Sequence, residues 1–130
     1  MMLIGNSLNN TIRGGRGNDT LEGSGSFTQN VLWGGAGSDT FVCNYALKGA
    51  HDIIMDYTEG DVIKIGDWMW VNTRGYSYVD GADMYLSFGI QGMPSGGILV
   101  KNAANKNIVV ANGEGYYSYN RTNIKPASDD

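Results

Sequence analysis

Two stretches decide how this chain is read: Gly14-Gly15-Arg16-Gly17-Asn18-Asp19-Thr20-Leu21-Glu22 and Gly34-Gly35-Ala36-Gly37-Ser38-Asp39-Thr40-Phe41-Val42. Both spell G-G-x-G-x-D-x-U-x, where U is a large apolar residue. Such a unit divides into a six-residue turn, in which glycine supplies conformations closed to other residues, and a three-residue strand with one inward side chain. Weaker copies in the same register extend the pattern both ways. Gly5 to Arg13 has Asn10 in the Asp place and Ile12 as U, and Gly23 to Trp33, two residues longer, has Asn30 and Leu32. An expanded fifth copy ends in His51-Asp52-Ile53-Ile54-Met55, and Asp56 to Lys64 carries Asp61 and Ile63. Six half-turns result.

The two full copies resemble the calcium-binding nonapeptide of the RTX (repeats-in-toxin) family. The segments Asp39-Thr40-Phe41-Val42, His51 to Tyr57 and Gly60-Asp61-Val62-Ile63-Lys64-Ile65 resemble the motifs that close RTX arrays, with Tyr57 in place of the usual Phe. The resemblance implies an all-β fold: a short right-handed parallel β-roll over 5–64, followed by a β-rich C-terminal cap or continuation over 65–113. Successive copies then lie on opposite sides, and Ca2+ sits between a turn and the next turn on its own side. Copies two, four and six stack Asp19, Asp39 and Asp61; copies one, three and five stack Asn10, Asn30 and Asp52. The implied metal set is Gly14, Gly15, Arg16, Gly17 and Asp19 facing Gly34, Gly35, Ala36, Gly37 and Asp39. A second ion is expected between the 34–39 turn and Asp61. The odd column is expected to bind weakly or to stack without metal, and Asp56 either caps a turn or touches an ion. Glycines let main-chain carbonyls face a cation, and Asp adds a hard anionic oxygen. The resemblance further implies a secreted bacterial protein, exported from a Gram-negative cell by a type I system and folding on calcium outside it.

Composition agrees with a folded module. The 130 residues suit one domain, and 20 Gly against 2 Pro is not a disordered composition. A formal charge of −4 disfavours nucleic acid and anionic membranes as partners. The single Cys43 cannot form an internal disulfide, which leaves a metal as the candidate staple. No apolar run approaches the roughly 18 residues of a membrane span, and Met1-Met2-Leu3-Ile4-Gly5 does not read as a signal peptide.

Beyond Ile65 the pattern stays β. Met84, Leu86 and Phe88 alternate with Asp83, Tyr85 and Ser87, and further strands are expected at 69–72, 76–79, 98–102 and 108–111. Arg74-Gly75, Pro94-Ser95-Gly96-Gly97 and Asn105-Lys106-Asn107 read as turns, and 114–130 as a frayed tail. Nothing reads as an active site: His51 has no nucleophile motif beside it, and Cys43 has no second Cys. Trp68 and Trp70 flank Met69, so on a strand both would point to one face. Exposed, they would suit a polysaccharide or cell surface; buried, they are core. Open strand edges at the roll ends make oligomerisation possible.

Overall fold

In the computed structural model, residues 1–6, 8–23, 29–43, 50–73, 75–90 and 93–126 are described. Every regular element among them is a β-strand. The first seven are short: β1 (Met2–Ile4), β2 (Thr11–Arg13), β3 (Thr20–Glu22), β4 (Gln29–Trp33), β5 (Thr40–Cys43), β6 (Ala50–Ile54) and β7 (Val62–Ile65). They alternate between two sheets. β1, β3, β5 and β7 pair in parallel in one, and β2, β4 and β6 pair in parallel in the other.

The register follows the apolar U positions. Leu3, Leu21, Phe41 and Ile63 line up across the first sheet, and Ile12, Leu32 and Ile54 across the second. From Leu21 and Leu32 onward these side chains are fully buried between the sheets, while Leu3 and Ile12 at the edge are half-buried. Each buried U is worth about 1.5–3 kcal/mol. This gain, repeated, lets strands of three residues hold.

The second half extends both sheets. β8 (Trp70–Asn72), β9 (Tyr78–Asp80), β10 (Asp83–Ile90) and β11 (Met93–Val100) join the second sheet, β11 running parallel to β6 and β10 antiparallel to β11. β12 (Ile108–Asn112) runs parallel to β7 in the first sheet, and β13 (Gly115–Tyr119) pairs antiparallel with it. Met84, Leu86 and Phe88 face the core as their alternation predicts, joined by Ile98, Val100, Ile108 and Val110.

Three expectations give way. Pro94 to Gly97 lies inside β11, where β6 pairs only from Gly96 onward, so the N–H that Pro94 lacks is not needed on that side. At Gly97 a Cβ would collide with the Tyr85 hydroxyl, so glycine lets the Tyr85 ring lie over the strand. Much of the tail expected to fray is ordered. Gly115-Tyr116-Tyr117-Ser118-Tyr119 is a strand whose odd-numbered tyrosines turn inward, and Ile124 is fully buried. The Val79 N–H donates to the Lys125 carbonyl at 2.8 Å, and Val79 bridges Pro126 in parallel, so residues 120–126 tie β13 to β9 across the two sheets. Residues 127–130 lie outside the described set, as does Arg74. Finally, Trp68 and Trp70 do not share a strand. The Met69 N–H donates to Gly66 O at 3.0 Å, which puts Trp68 in a turn before β8 begins.

Candidate metal centre

The turns before β3, β5 and β7 stack as the strands do. Gly15 and Gly17 have φ of 92° and 89°, and Gly35 and Gly37 have 81° and 95°, the same two places of each full repeat. Above Gly15 and Gly17 the chain leaves no room: a Cβ on Gly35 would overlap the Gly15 carbonyl oxygen, and one on Gly37 the Gly17 carbonyl oxygen. Those carbonyls therefore face the next turn. Arg16 and Ala36 are exposed, and neither side chain can accept a bond, so only their main-chain oxygens could serve a cation.

Asp19, Asp39 and Asp61 form one buried column, none more than 4 % exposed. The Asp19 N–H donates to Asp39 Oδ1 at 2.8 Å, and the Asp39 N–H to Asp61 Oδ1 at 2.8 Å. Asp39 and Asp61 thus each spend one oxygen on the main chain of the turn before them. Asp19 Oδ1 meets the Met1 ammonium at 3.1 Å. The second oxygens are different: Asp19 Oδ2 and Asp39 Oδ2 are buried and accept no hydrogen bond. Each lies over the first glycine of its own turn, 2.8 Å and 2.6 Å from where a Cβ on Gly14 or Gly34 would stand. A buried anionic oxygen without a partner is costly, and a cation is the group that would satisfy it. The residues fit a hard cation.

The odd column uses the same ladder without that vacancy of bonding. The Asn10 N–H donates to Asn30 Oδ1 at 2.8 Å, and Asn30 donates both its N–H and its side-chain amide to Asp52 Oδ1, at 3.3 and 3.0 Å. Carboxamides bring their own donors. The Cys43 thiol donates to Asp52 Oδ2 at 3.9 Å, and burial, with the Asp52 charge, pushes the thiol well above its ordinary range. The backbone of His51 lies in β6; its side chain is outside the described set.

The sixth copy departs from the second and fourth. Asp61 Oδ2 accepts from the Thr58 N–H at 2.9 Å and from the Thr58 hydroxyl at 3.3 Å, so both Asp61 oxygens are already bonded. Asp56 caps the turn below it, Oδ1 accepting from Gly34 N–H at 2.8 Å and Oδ2 from Gly35 N–H at 2.9 Å. Tyr57 fills the place of the usual Phe and adds two bonds. Its hydroxyl donates to Asp61 O at 2.6 Å and accepts from the Val109 N–H at 3.0 Å. Thr58 was missed in the sequence, although a Thr three places before an Asp is a turn signal.

Burial, and then the charges of Asp61, Asp19 and Asp56, raise the Asp39 carboxyl above its ordinary value, against the pull of the Asp19 N–H. Among the described residues no three His, Cys, Asp or Glu side chains gather as a metal-ligand group. A cation here would thus lean on main-chain carbonyls. The described residues include no helix long and apolar enough to cross a membrane.

No curated protein matches the chain. The family model of the RTX calcium-binding nonapeptide repeat matches residues 4–41, in four copies. That span holds the first full repeat and all but the last residue of the second, the Gly5 and Gly23 copies, and both unpartnered carboxylate oxygens. Residues 4–41 are, then, similar to the RTX calcium-binding nonapeptide repeat.

Proposed function

We propose that this chain is a non-catalytic, calcium-responsive RTX module, a single domain that orders outside the cell and supports secretion and stability of a larger protein. In this reading residues 5–64 form a right-handed parallel β-roll, which the alternation of β1 to β7 between two parallel arrays supports. Residues 65–126 continue and close it. The observation that carries the reading is the pair of buried, unpartnered oxygens, Asp19 Oδ2 and Asp39 Oδ2, in the two full repeats. Asp19, Asp39 and main-chain carbonyls of 14–17 and 34–37 would hold Ca2+, which takes 6–8 oxygen ligands. Asp61, with both oxygens engaged, supports the column from above.

Without a cation, carboxylates at strand spacing, about 5 Å, repel by roughly 3 kcal/mol at an effective dielectric of about 20. The ion supplies the opposing charge. Extracellular calcium modules bind at about 10⁻⁴ to 10⁻³ M, and a hundredfold excess over Kd stabilises by about 2.7 kcal/mol. Millimolar calcium outside a cell reaches that range.

Calorimetric calcium titration, followed in parallel by circular dichroism, tests the proposal. One dominant site with a gain of β signal is expected. Asp19→Ala or Asp39→Ala should weaken binding at least about tenfold, about 1.4 kcal/mol. Asn30→Ala should lower stability by about 1–3 kcal/mol, through its lost buried bonds, yet leave calcium affinity nearly unchanged. A spectrum identical in chelator and in about 10 mM calcium, far above the expected Kd, would overturn the reading.

A second reading, a calcium-stabilised carbohydrate- or surface-binding module, draws on the aromatics. Trp68 is 56 % and Tyr116 75 % exposed, and the half-buried Trp70 packs on Tyr117 with ring centroids 5.8 Å apart. Polysaccharide retention with and without calcium, lost in Trp68→Ala, separates the two.

A further inference from the structure

The column of turns that holds Asp19, Asp39 and Asp61 continues past the sixth copy, but the next gap is built from different residues. The 56–61 turn still stacks in register on the 34–39 turn: Gly60, with φ of 100°, stands over Ser38, whose Oγ would lie 2.8 Å from a Cβ there. Tyr57 therefore takes the place that Gly15 holds in the second copy, where the main-chain oxygen faces the next turn. The next strand of this sheet is β12, with Val110 opposite Ile63 and Ala111 opposite Lys64. Counting back two residues from each apolar U, Ile108 continues the series Asp19, Asp39, Asp61. A fully buried apolar side chain thus stands where each lower turn on this side has a carboxylate.

The hydrogen bonds change with it. The Asp61 N–H, which has no carboxylate above to receive it, donates to Thr58 O at 3.0 Å instead. Two residues before Ile108, Lys106 sends its ammonium back to the Tyr57 carbonyl at 2.6 Å. In the second and fourth copies the chain supplies carboxylates and leaves oxygens unpartnered; above the sixth it omits the carboxylate and brings a positive charge of its own.

We propose that the Lys106 ammonium is a tethered cation that fills the gap between the sixth turn and the segment before β12, and so fixes how many calcium ions the column takes. The proposal rests on the calcium reading of the second and fourth copies. An ammonium is a compact charge with hydrogen-bond donors only, so it meets a main-chain oxygen as a metal ion would, without the 6–8 oxygen ligands that Ca2+ takes. Space is not what keeps calcium out. A cavity of about 620 Å³ lies here, lined by Tyr57 to Gly60 on one side and Asn105, Lys106 and Asn107 on the other. Charge keeps it out, because a dication beside a fixed ammonium is repelled. A carboxylate on the shorter Asp side chain would reverse that sign. It would also stop short of the Tyr57 carbonyl, leaving room between them for an ion with Ca–O distances of about 2.4 Å.

Equilibrium dialysis of the full chain against millimolar calcium counts the ions bound. Lys106→Asp is expected to take up one more than the wild type. Lys106→Met keeps the apolar stem and removes the charge. In urea denaturation at the same calcium concentration, its folding equilibrium should shift at least about tenfold towards the unfolded state, the worth of a hydrogen bond to a charged group. Calcium bound by the wild type with the same count in a folded Lys106→Asp, or an unchanged midpoint in Lys106→Met, overturns this proposal alone. A wild type that binds no calcium overturns it together with the calcium reading beneath it. If circular dichroism shows that Lys106→Asp does not fold, Lys106→Met decides.

Discussion

Asp39 concentrates the site's electrostatics in one side chain. Its folded-state carboxyl titrates above the ordinary 3.8 because it is buried beside other carboxylates. Between the unfolded value and the raised folded one, the calcium-free folded state is therefore more protonated at Asp39 than the unfolded state. The contribution of Asp39 to stability is fully present below about pH 3.8 and is lost as pH rises through its raised value. Asp39→Asn removes this titration. Measured in chelator, the stability of wild type relative to Asp39→Asn should fall as pH rises from about 4 towards neutrality, and a flat difference would refute the assignment. Asp83 runs the other way: the Asn102 N–H and then the Lys101 ammonium hold its carboxyl down, so what it contributes is lost on acidification. Only the difference between variants isolates Asp39. That Asp19 and Asp39 share a column was legible from the repeat, because nine-residue spacing fixes which turns stack. That Asp61 spends its second oxygen on Thr58 was not, because the sequence gives spacing but no account of which lone pairs local donors will take.

Among the elements, the stacked turns discriminate between glycines that look alike in sequence. Gly15 and Gly35 hold the same place in their repeats and both have positive φ, but a Cβ on Gly15 meets nothing within 4 Å, and one on Gly35 meets the Gly15 main chain. Gly15→Ala should cost about 1–2 kcal/mol for the left-handed backbone alone. Gly35→Ala should cost about 1–3 kcal/mol more, because main chain cannot move aside as a side chain can. Denaturation midpoints in saturating calcium would decide, and equal losses would mean that the turns are not in contact. The strands were legible where one face is buried, as at Met84, Leu86 and Phe88. They were missed where tertiary contacts override local signals: Gly97 reads as a turn residue until the Tyr85 ring is laid over it. The polar stretch after Glu114 reads as tail because its inward tyrosines pack only once β12 is in place beside them.

For the molecule as a whole, Tyr57 couples the repeat half to the half that follows. Its hydroxyl joins Asp61 O to the Val109 N–H, and Lys106 Nζ donates to its carbonyl at 2.6 Å. Tyr57→Phe would restore the usual residue of the closing motif and leave the Val109 N–H without its acceptor. A loss of about 1–3 kcal/mol in urea denaturation is expected, and an unchanged midpoint would show that the two halves do not depend on this bridge. The ladder of side-chain oxygens on the preceding turn's N–H groups also has a direction, each full turn of 20 or 22 residues being held by the next one along the chain. Under tension between its two ends, such a stack opens like a zipper instead of shearing like a lap joint. Rungs would break one at a time, and each turn released would pay out roughly 70 Å of slack. An ion seated between the second and fourth copies would act as a knot in that cord, a single point of high resistance in an otherwise compliant tether.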